Sequence, residues 1–222
     1  TTARRSPLDL GALRAVARVD GAGTTLLLWF LVTFFFVGLE TTFRLYTEDA
    51  FGMSIGGTAA VFTFVGLVAA IVQGGLIGKL SRRFGEVALI RVGALLLGLG
   101  FLGMAFAPSA GGRAGIFAVF AASGLVALGS GLQNPSLSSY ASRRAPAAEQ
   151  GLVLGVLQSL GALARAVGPF AAGALYQYVG LRGPYLVGAA GFVVAFGFAL
   201  RLVPLTTAPT APRPGTASPA PQ

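Results

Sequence analysis

The sequence predicts an all-α membrane protein of six transmembrane helices, arranged as two inverted three-helix repeats. Three observations carry the prediction. Of 222 residues, 55% are hydrophobic and only 10% charged, with a mean hydropathy of +0.78; a soluble domain of this length carries roughly a quarter charged residues. Six apolar spans follow one another, each close to the roughly 20 residues a helix needs to cross a hydrocarbon core of about 30 Å. Polar residues enter these spans in the order polar, polar, apolar, used twice. An odd number of spans per repeat forces the two repeats into opposite orientations.

Taken in order, residues 1–22 form a basic cytoplasmic segment, with Arg4, Arg5, Arg14 and Arg18 among Leu8, Leu10, Leu13 and Val16. It reads either as a surface helix on anionic lipid or as a linker with some helix. The transmembrane domain covers 23–203. Its first span, Gly23 to Phe43, holds Thr33, Glu40 and the aromatic run Trp29, Phe30, Phe34, Phe35 and Phe36. The second, Gly57 to Gly78, holds Thr63 and Gln73, with Gly66, Ala70, Gly74 and Gly78 as a ladder of small residues on one face. Such ladders let helices approach closely where lipid supplies no hydrophobic drive. The third, Val87 to Phe106, has only Arg91, near one end. The fourth, Gly115 to Pro135, carries Ser123, Gln133 and Asn134; Asn134-Pro135 marks a kink or the exit from the membrane. The fifth, Gly151 to Tyr176, carries Gln158, Arg165 and a second ladder, Ala164, Gly168 and Ala172. The sixth, Pro184 to Val203, has no strongly polar residue. Spans three and six are expected to face lipid, and the other four a cavity. Residues 204–222 are Pro-rich and read as a disordered cytoplasmic tail.

The cations fix an orientation. With the N-terminus inside, twelve of the sixteen Lys and Arg fall on the inner side, while Arg44, Arg113 and Arg182 lie outside and Arg165 lies in the membrane. That bias puts both termini in the cytoplasm. It accounts for the net charge of +9 without nucleic acid. Tyr46, Tyr176, Tyr178 and Tyr185 fall at outer span ends and Tyr140 near an inner one, as interfacial anchors do. Fifteen Arg against one Lys, with abundant Ala and Gly, suggest a GC-rich coding sequence and a bacterial inner membrane as the plasma membrane concerned. The chain begins with Thr and lacks the apolar stretch of a signal peptide, as expected of a segment from inside a longer protein. It has no Cys and no His, so thiol chemistry and the usual transition-metal sites are not expected, nor is a cofactor. The scattered acids make an integral membrane enzyme the weakest reading.

Arg165 is the residue that the rest of the chain must accommodate. It sits about 14 residues into its span, roughly 21 Å deep, where a charge normally faces a bundle interior or a watery cavity. It either lines a cavity and meets an anionic group or a proton-carrying carboxylate, or it fills a gap between helices. Glu40, the one acid inside a span, pairs with Arg44 one turn on or serves a gating or proton-carrying role. Gln73, Gln133, Asn134 and Gln158 are neutral; they hydrogen-bond a substrate or bridge helices.

Residues 50–80, the loop from Gly78 to Glu86, and Gly155, Gly168, Pro169 and Gly173 of the fifth span resemble three stretches of the major facilitator superfamily, nearest the drug:proton antiporters of the tetracycline-efflux type. The first is AFGMSIGGTAAVFTFVGLVAAIVQGGLIGKL. The second, Gly78-Lys79-Leu80-Ser81-Arg82-Arg83-Phe84-Gly85-Glu86, is similar to the second copy of that family's loop motif, with Arg82 where the motif has an acid. Gly78, Arg83 and Gly85 are retained and suit a tight turn and a charged contact with a neighbouring helix end. The third is the fifth span, where Gly155, Ala164, Gly168, Pro169, Ala172 and Gly173 follow the spacing of the family's antiporter motif, Ala replacing two Gly. There small residues permit packing and Pro169 permits a bend.

The resemblance implies one six-helix half of a twelve-helix fold, with an N-terminal six-helix half as its partner and the bilayer as its medium. It implies alternating access around a central site, exporting a small molecule against proton entry. A metabolite or sugar carrier of the same fold, or a non-transporting half that only binds a partner, remain the alternatives.

Overall fold

The computed structural model describes residues 22–204, and among them every regular element is a helix. Helix α1 spans Ala22–Phe51. The chain then turns at Gly52, φ +61°, and Ser54 caps the next helix by accepting from the Gly57 N–H at 3.2 Å, satisfying a donor that helix starts leave open. That helix, Ile55–Ile71, passes through a π-helical turn, Val72–Leu76, into Ile77–Ala110. Five helices among the described residues are long and apolar enough to cross a membrane, with the 56-residue run Ile55–Ala110 counted as one.

A straight helix of that length would measure about 84 Å, far beyond a bilayer's core of about 30 Å. The run breaks at Gly85, whose φ of 77° and ψ of 161° are non-helical and accessible essentially to Gly alone. Its limbs are α2 (55–84) and α3 (86–110). Helices α4 (Gly112–Arg144), α5 (Gln150–Val179) and α6 (Gly183–Leu200) complete the bundle.

Close approaches give the directions. Phe64 abuts Gly124 and Val72 abuts Gly131, so α2 runs parallel to α4. Gln133 abuts Gly93, Val126 abuts Gly100 and Ala122 abuts Gly103, so α3 runs antiparallel to that same helix. The chain therefore reverses at Gly85. Trp29 lies against Gly161, Phe34 against Gly168 and Ala172 against Gly38, so α1 is parallel to α5. Phe35 meets Gly191, and the Thr42 and Tyr185 hydroxyls lie 3.3 Å apart, so α1 is antiparallel to α6.

Glycine sets the tightest seam. A Cβ on Gly129 would lie 2.8 Å from the Gly93 carbonyl oxygen, so α3 and α4 approach nearly backbone to backbone. The main core joins α1, α3, α4 and α6 through Leu28, Phe43, Leu97, Phe101, Val126 and Phe192.

Several expectations are corrected. Helix α1 continues two turns past Phe43, because Tyr46 and Thr47 are fully buried. Tyr46 and Tyr185 are core residues rather than interfacial anchors: Tyr46 donates to the Met104 carbonyl at 2.6 Å and their rings pack 4.6 Å apart. Tyr140 is buried too and donates to the Val203 carbonyl at 3.1 Å. Helix α4 runs through Pro135 to Arg144, beyond the expected end of the fourth span. Glu40 does not pair with Arg44, which instead bridges Glu48 at 2.9 Å and donates to the Met53 carbonyl. The ladder Gly66, Ala70, Gly74, Gly78 is exposed and meets no neighbouring helix among the described residues, whereas Ala164, Gly168 and Ala172 are buried, and Gly168 and Ala172 meet α1. The segments 1–21 and 205–222 lie outside the described residues, and with them the expected basic helix and nearly all of the expected tail.

Candidate functional site

Helix α5 buries one stripe and exposes another. Ala164, Gly168 and Ala172 are buried; Gly155, Gln158, Ala162 and Arg165 are exposed and fall at spacings of three and four, on one face of the helix. Arg165 is near the middle of the 30-residue helix. It makes no hydrogen bond or ion pair with any described residue. Its guanidinium lies beside Gly161, one turn back on the same helix. A Cβ there would sit 3.4 Å from Nη2 and 3.5 Å from Nη1 of Arg165, and 3.0 Å from Nε1 of Trp29. The indole N–H of Trp29 is itself buried and without a partner. Two donors, one charged, thus border the same glycine with no acceptor between them. Burying an N–H unpaired costs about 1–3 kcal/mol, so an acceptor arriving here would be stabilised by the arrangement.

Gln158 shares this face with Arg165. The other polar candidates are dispersed. Gln73 is exposed within the π turn of α2, a distortion that often accompanies functional positions. Asn134 is exposed on α4, and Glu40 is exposed on α1 without a described partner. Gln133 is fully buried at the α3–α4 seam, with neither amide atom bonded. It therefore neither bridges helices by hydrogen bonds nor opens onto the face of Arg165. Gly155 and Gly173 have open space where a side chain would be, so neither packs a helix among the described residues. Gly168 does, with the Phe34 carbonyl 3.1 Å from where its Cβ would stand. Pro169 follows it inside α5, removing one backbone donor.

The loop motif acts through a residue that its pattern did not single out. Gly85 supplies the reversal. Glu86, directly after it, is buried and accepts from Arg143 Nη1 at 2.5 Å and from the Ser139 hydroxyl at 3.2 Å. The charged contact to a neighbouring helix end is thus made by Glu86 to α4, not by Arg83, which stacks over Phe84 at 5.4 Å. Arg82 makes no polar contact with the described residues; its Nη1 lies 4.0 Å from the Cβ position of Gly78. Arg91 spans to the end of α6, donating from Nε to the Ala199 carbonyl and from Nη2 to those of Leu200 and Leu202, each at 3.1 Å. A cation closing the last carbonyls of a helix is favourable on both hydrogen-bond and dipole grounds.

Comparison with known proteins agrees with this architecture. The family profile described as Major Facilitator Superfamily matches residues 2–169 and 112–221. Major facilitator superfamily domain-containing protein 10 of Bos taurus is 33% identical over 210 residues, covering 90% of this chain and 44% of that protein. The class C tetracycline resistance protein of Escherichia coli is 30% identical over 204 residues, covering 86% and 48%. The crystal structure of the human organic anion transporter MFSD10 (TETRAN) superposes with a TM-score of 0.74 at 30% identity, over 87% of this chain and 46% of that one. The chain thus spans less than half the length of these relatives. A multi-pass helical bundle, a loop motif realised at Gly85 and a profile match along nearly the whole sequence lead to one statement: this chain belongs to the major facilitator superfamily.

Proposed function

We propose that the chain is one six-helix half of a secondary transporter that moves small organic molecules by alternating access, exporting them against proton entry. The carrying observation is the exposed face of α5, where Arg165 stands mid-helix beside the buried Trp29 N–H, both without acceptors. A mid-membrane charge facing outward from the bundle is tolerated where water or a second half covers it.

Helix pairing supports the half-transporter reading. Exchanging α1 with α4, α2 with α5 and α3 with α6 turns the parallel pair α1–α5 into α4–α2, also parallel. It turns the antiparallel pair α1–α6 into α4–α3, also antiparallel. That the exchanged pairs are in contact as well is what two inverted three-helix repeats would require, and it supports this reading. The exposed small-residue face of α2 is then the surface on which an N-terminal six-helix half would pack. Residues 1–22 and 204–222 would be cytoplasmic, and the membrane the plasma membrane, bacterial on the composition.

The unpaired cation favours a second reading of the cargo, that it carries an anionic group. The human relative is described as an organic anion transporter and the bacterial one as a tetracycline resistance protein. Uptake into inverted membrane vesicles distinguishes these. With the N-terminal half present and a proton gradient imposed, uptake of a drug panel and of organic anions should fall at least tenfold with Arg165→Ala. Loss confined to anions would assign Arg165 to the cargo's charge. Loss of all gradient-driven uptake, with exchange retained, would assign it to the proton step. Unchanged uptake of every compound would reject the site.

A further inference from the structure

Two cavities outside the α5 face both border α3, at successive stretches of that helix. The first is polar, about 500 Å³, and lies at the Gly85 reversal; its walls include Arg82, Arg91, Arg143 and Glu86. Three cations against one carboxylate leave it positive. Glu86 engages only Arg143 of the three. Arg91 uses Nε and Nη2 on the end of α6 and leaves Nη1 without a partner, while Arg82 has none among the described residues.

The second cavity is an apolar groove of about 360 Å³ between α3 and α6, lined by Leu95, Leu99 and Leu102 on one side and Ala190, Val193 and Phe196 on the other. Gly98 forms part of its floor. The exposed residues Val92, Leu95, Leu99 and Leu102 carry this apolar surface down α3 to Arg91. From Arg91 to Leu102 is eleven residues, about 16 Å along a helix and close to half of a hydrocarbon core of about 30 Å.

We propose that these cavities together form a binding site for one anionic phospholipid. Its phosphate sits between Arg82 and Arg91, and one acyl chain lies in the α3–α6 groove within a single leaflet. The positive pocket selects the head group, since basic pockets between transmembrane helices attract anionic lipids. The groove selects lipid over a free anion, because a soluble phosphate would leave it unfilled. Glu86 sits in the wall of the pocket and anchors Arg143 of α4 beside Gly85, so the bound lipid steadies the junction between α2, α3 and α4.

Native mass spectrometry of the purified chain tests this, with phosphatidylglycerol and phosphatidylcholine of equal chain length. Phosphatidylglycerol should be retained at least fivefold more tightly. Arg82→Gln should remove about fivefold of that preference, the order of one basic residue at an anionic surface, with the melting temperature in lipid-free detergent unchanged. Ala190→Phe, which fills the groove from an exposed position, should weaken both lipids. Arg113→Gln at the opposite end of the bundle should change neither. Equal retention of the two lipids would overturn the proposal. So would a loss with Arg113→Gln matching that with Arg82→Gln, or full displacement of phosphatidylglycerol by glycerol phosphate, which would mark a soluble-anion site instead.

Discussion

Arg165 and Trp29 should separate stability from transport. Arg165 is exposed and unpartnered, so Arg165→Gln should alter unfolding by no more than about 0.5 kcal/mol, as for surface positions without special contacts, while lowering uptake. Trp29→Phe keeps a ring against Gly161 but deletes the orphaned N–H. It should raise the melting temperature of the empty protein slightly, since an unpaired buried donor is costly, and still weaken substrate binding. A fall in the melting temperature would show that the N–H has a partner in the membrane. Glu86→Gln should cost about 1–2 kcal/mol, on the scale of hydrogen bonds to charged groups, discounted for the half-exposed Arg143; thermal unfolding in detergent reads it. These residues also show what the sequence could disclose. Arg165 stands out in the sequence because a lone charge deep in an apolar span has few places to go. Trp29 was lost within an aromatic run, since nothing local says which ring turns its N–H inward. Glu86 is silent in the sequence because its partners Ser139 and Arg143 lie more than fifty residues away in the chain.

Among the elements, glycines divide into those that hold the fold and those that face open space. Gly85→Ala should destabilise by about 1–3 kcal/mol, because its backbone conformation is costly for any residue with a Cβ. Gly93→Ala should be damaging as well, its Cβ falling 2.7 Å from that of Gln133 and 2.9 Å from the Gly129 carbonyl. Gly155→Ala, in open space inside a helix, should be neutral or stabilise by up to about 1 kcal/mol. Melting temperatures of the three variants check the order; a Gly155→Ala loss as large as that of Gly93→Ala would mean that α5 packs on another element there. Apolarity alone located the spans, but not their ends. Buried Tyr46, Thr47 and Tyr140 extend α1 and α4 beyond the hydrophobic runs, because hydroxyls that bond backbone carbonyls or one another can be buried. The break at Gly85 was legible from its place in the loop motif, and its positive φ explains why Gly stands there.

At the scale of the whole molecule, the small-residue face of α2 and the polar face of α5 are left uncovered by the other described helices. The alternation of polar and apolar spans did not give this division: it set α1 and α4 beside α2 and α5, and it could not separate Gln133, sealed at the α3–α4 seam, from Gln158, which is exposed. Transport through this chain requires that the α5 face line a watery path. A chain with no cysteine makes the direct test simple: single substitutions Gln158→Cys, Ala162→Cys and Arg165→Cys, compared with Leu99→Cys and Val193→Cys on α3 and α6, each reacted in membranes with a charged thiol reagent. The account predicts modification at the three α5 positions at least tenfold faster than at the other two, slowed when transported substrate is added. Equal, slow reaction at all five would place α5 against lipid or sealed protein and contradict the assignment of this face to transport.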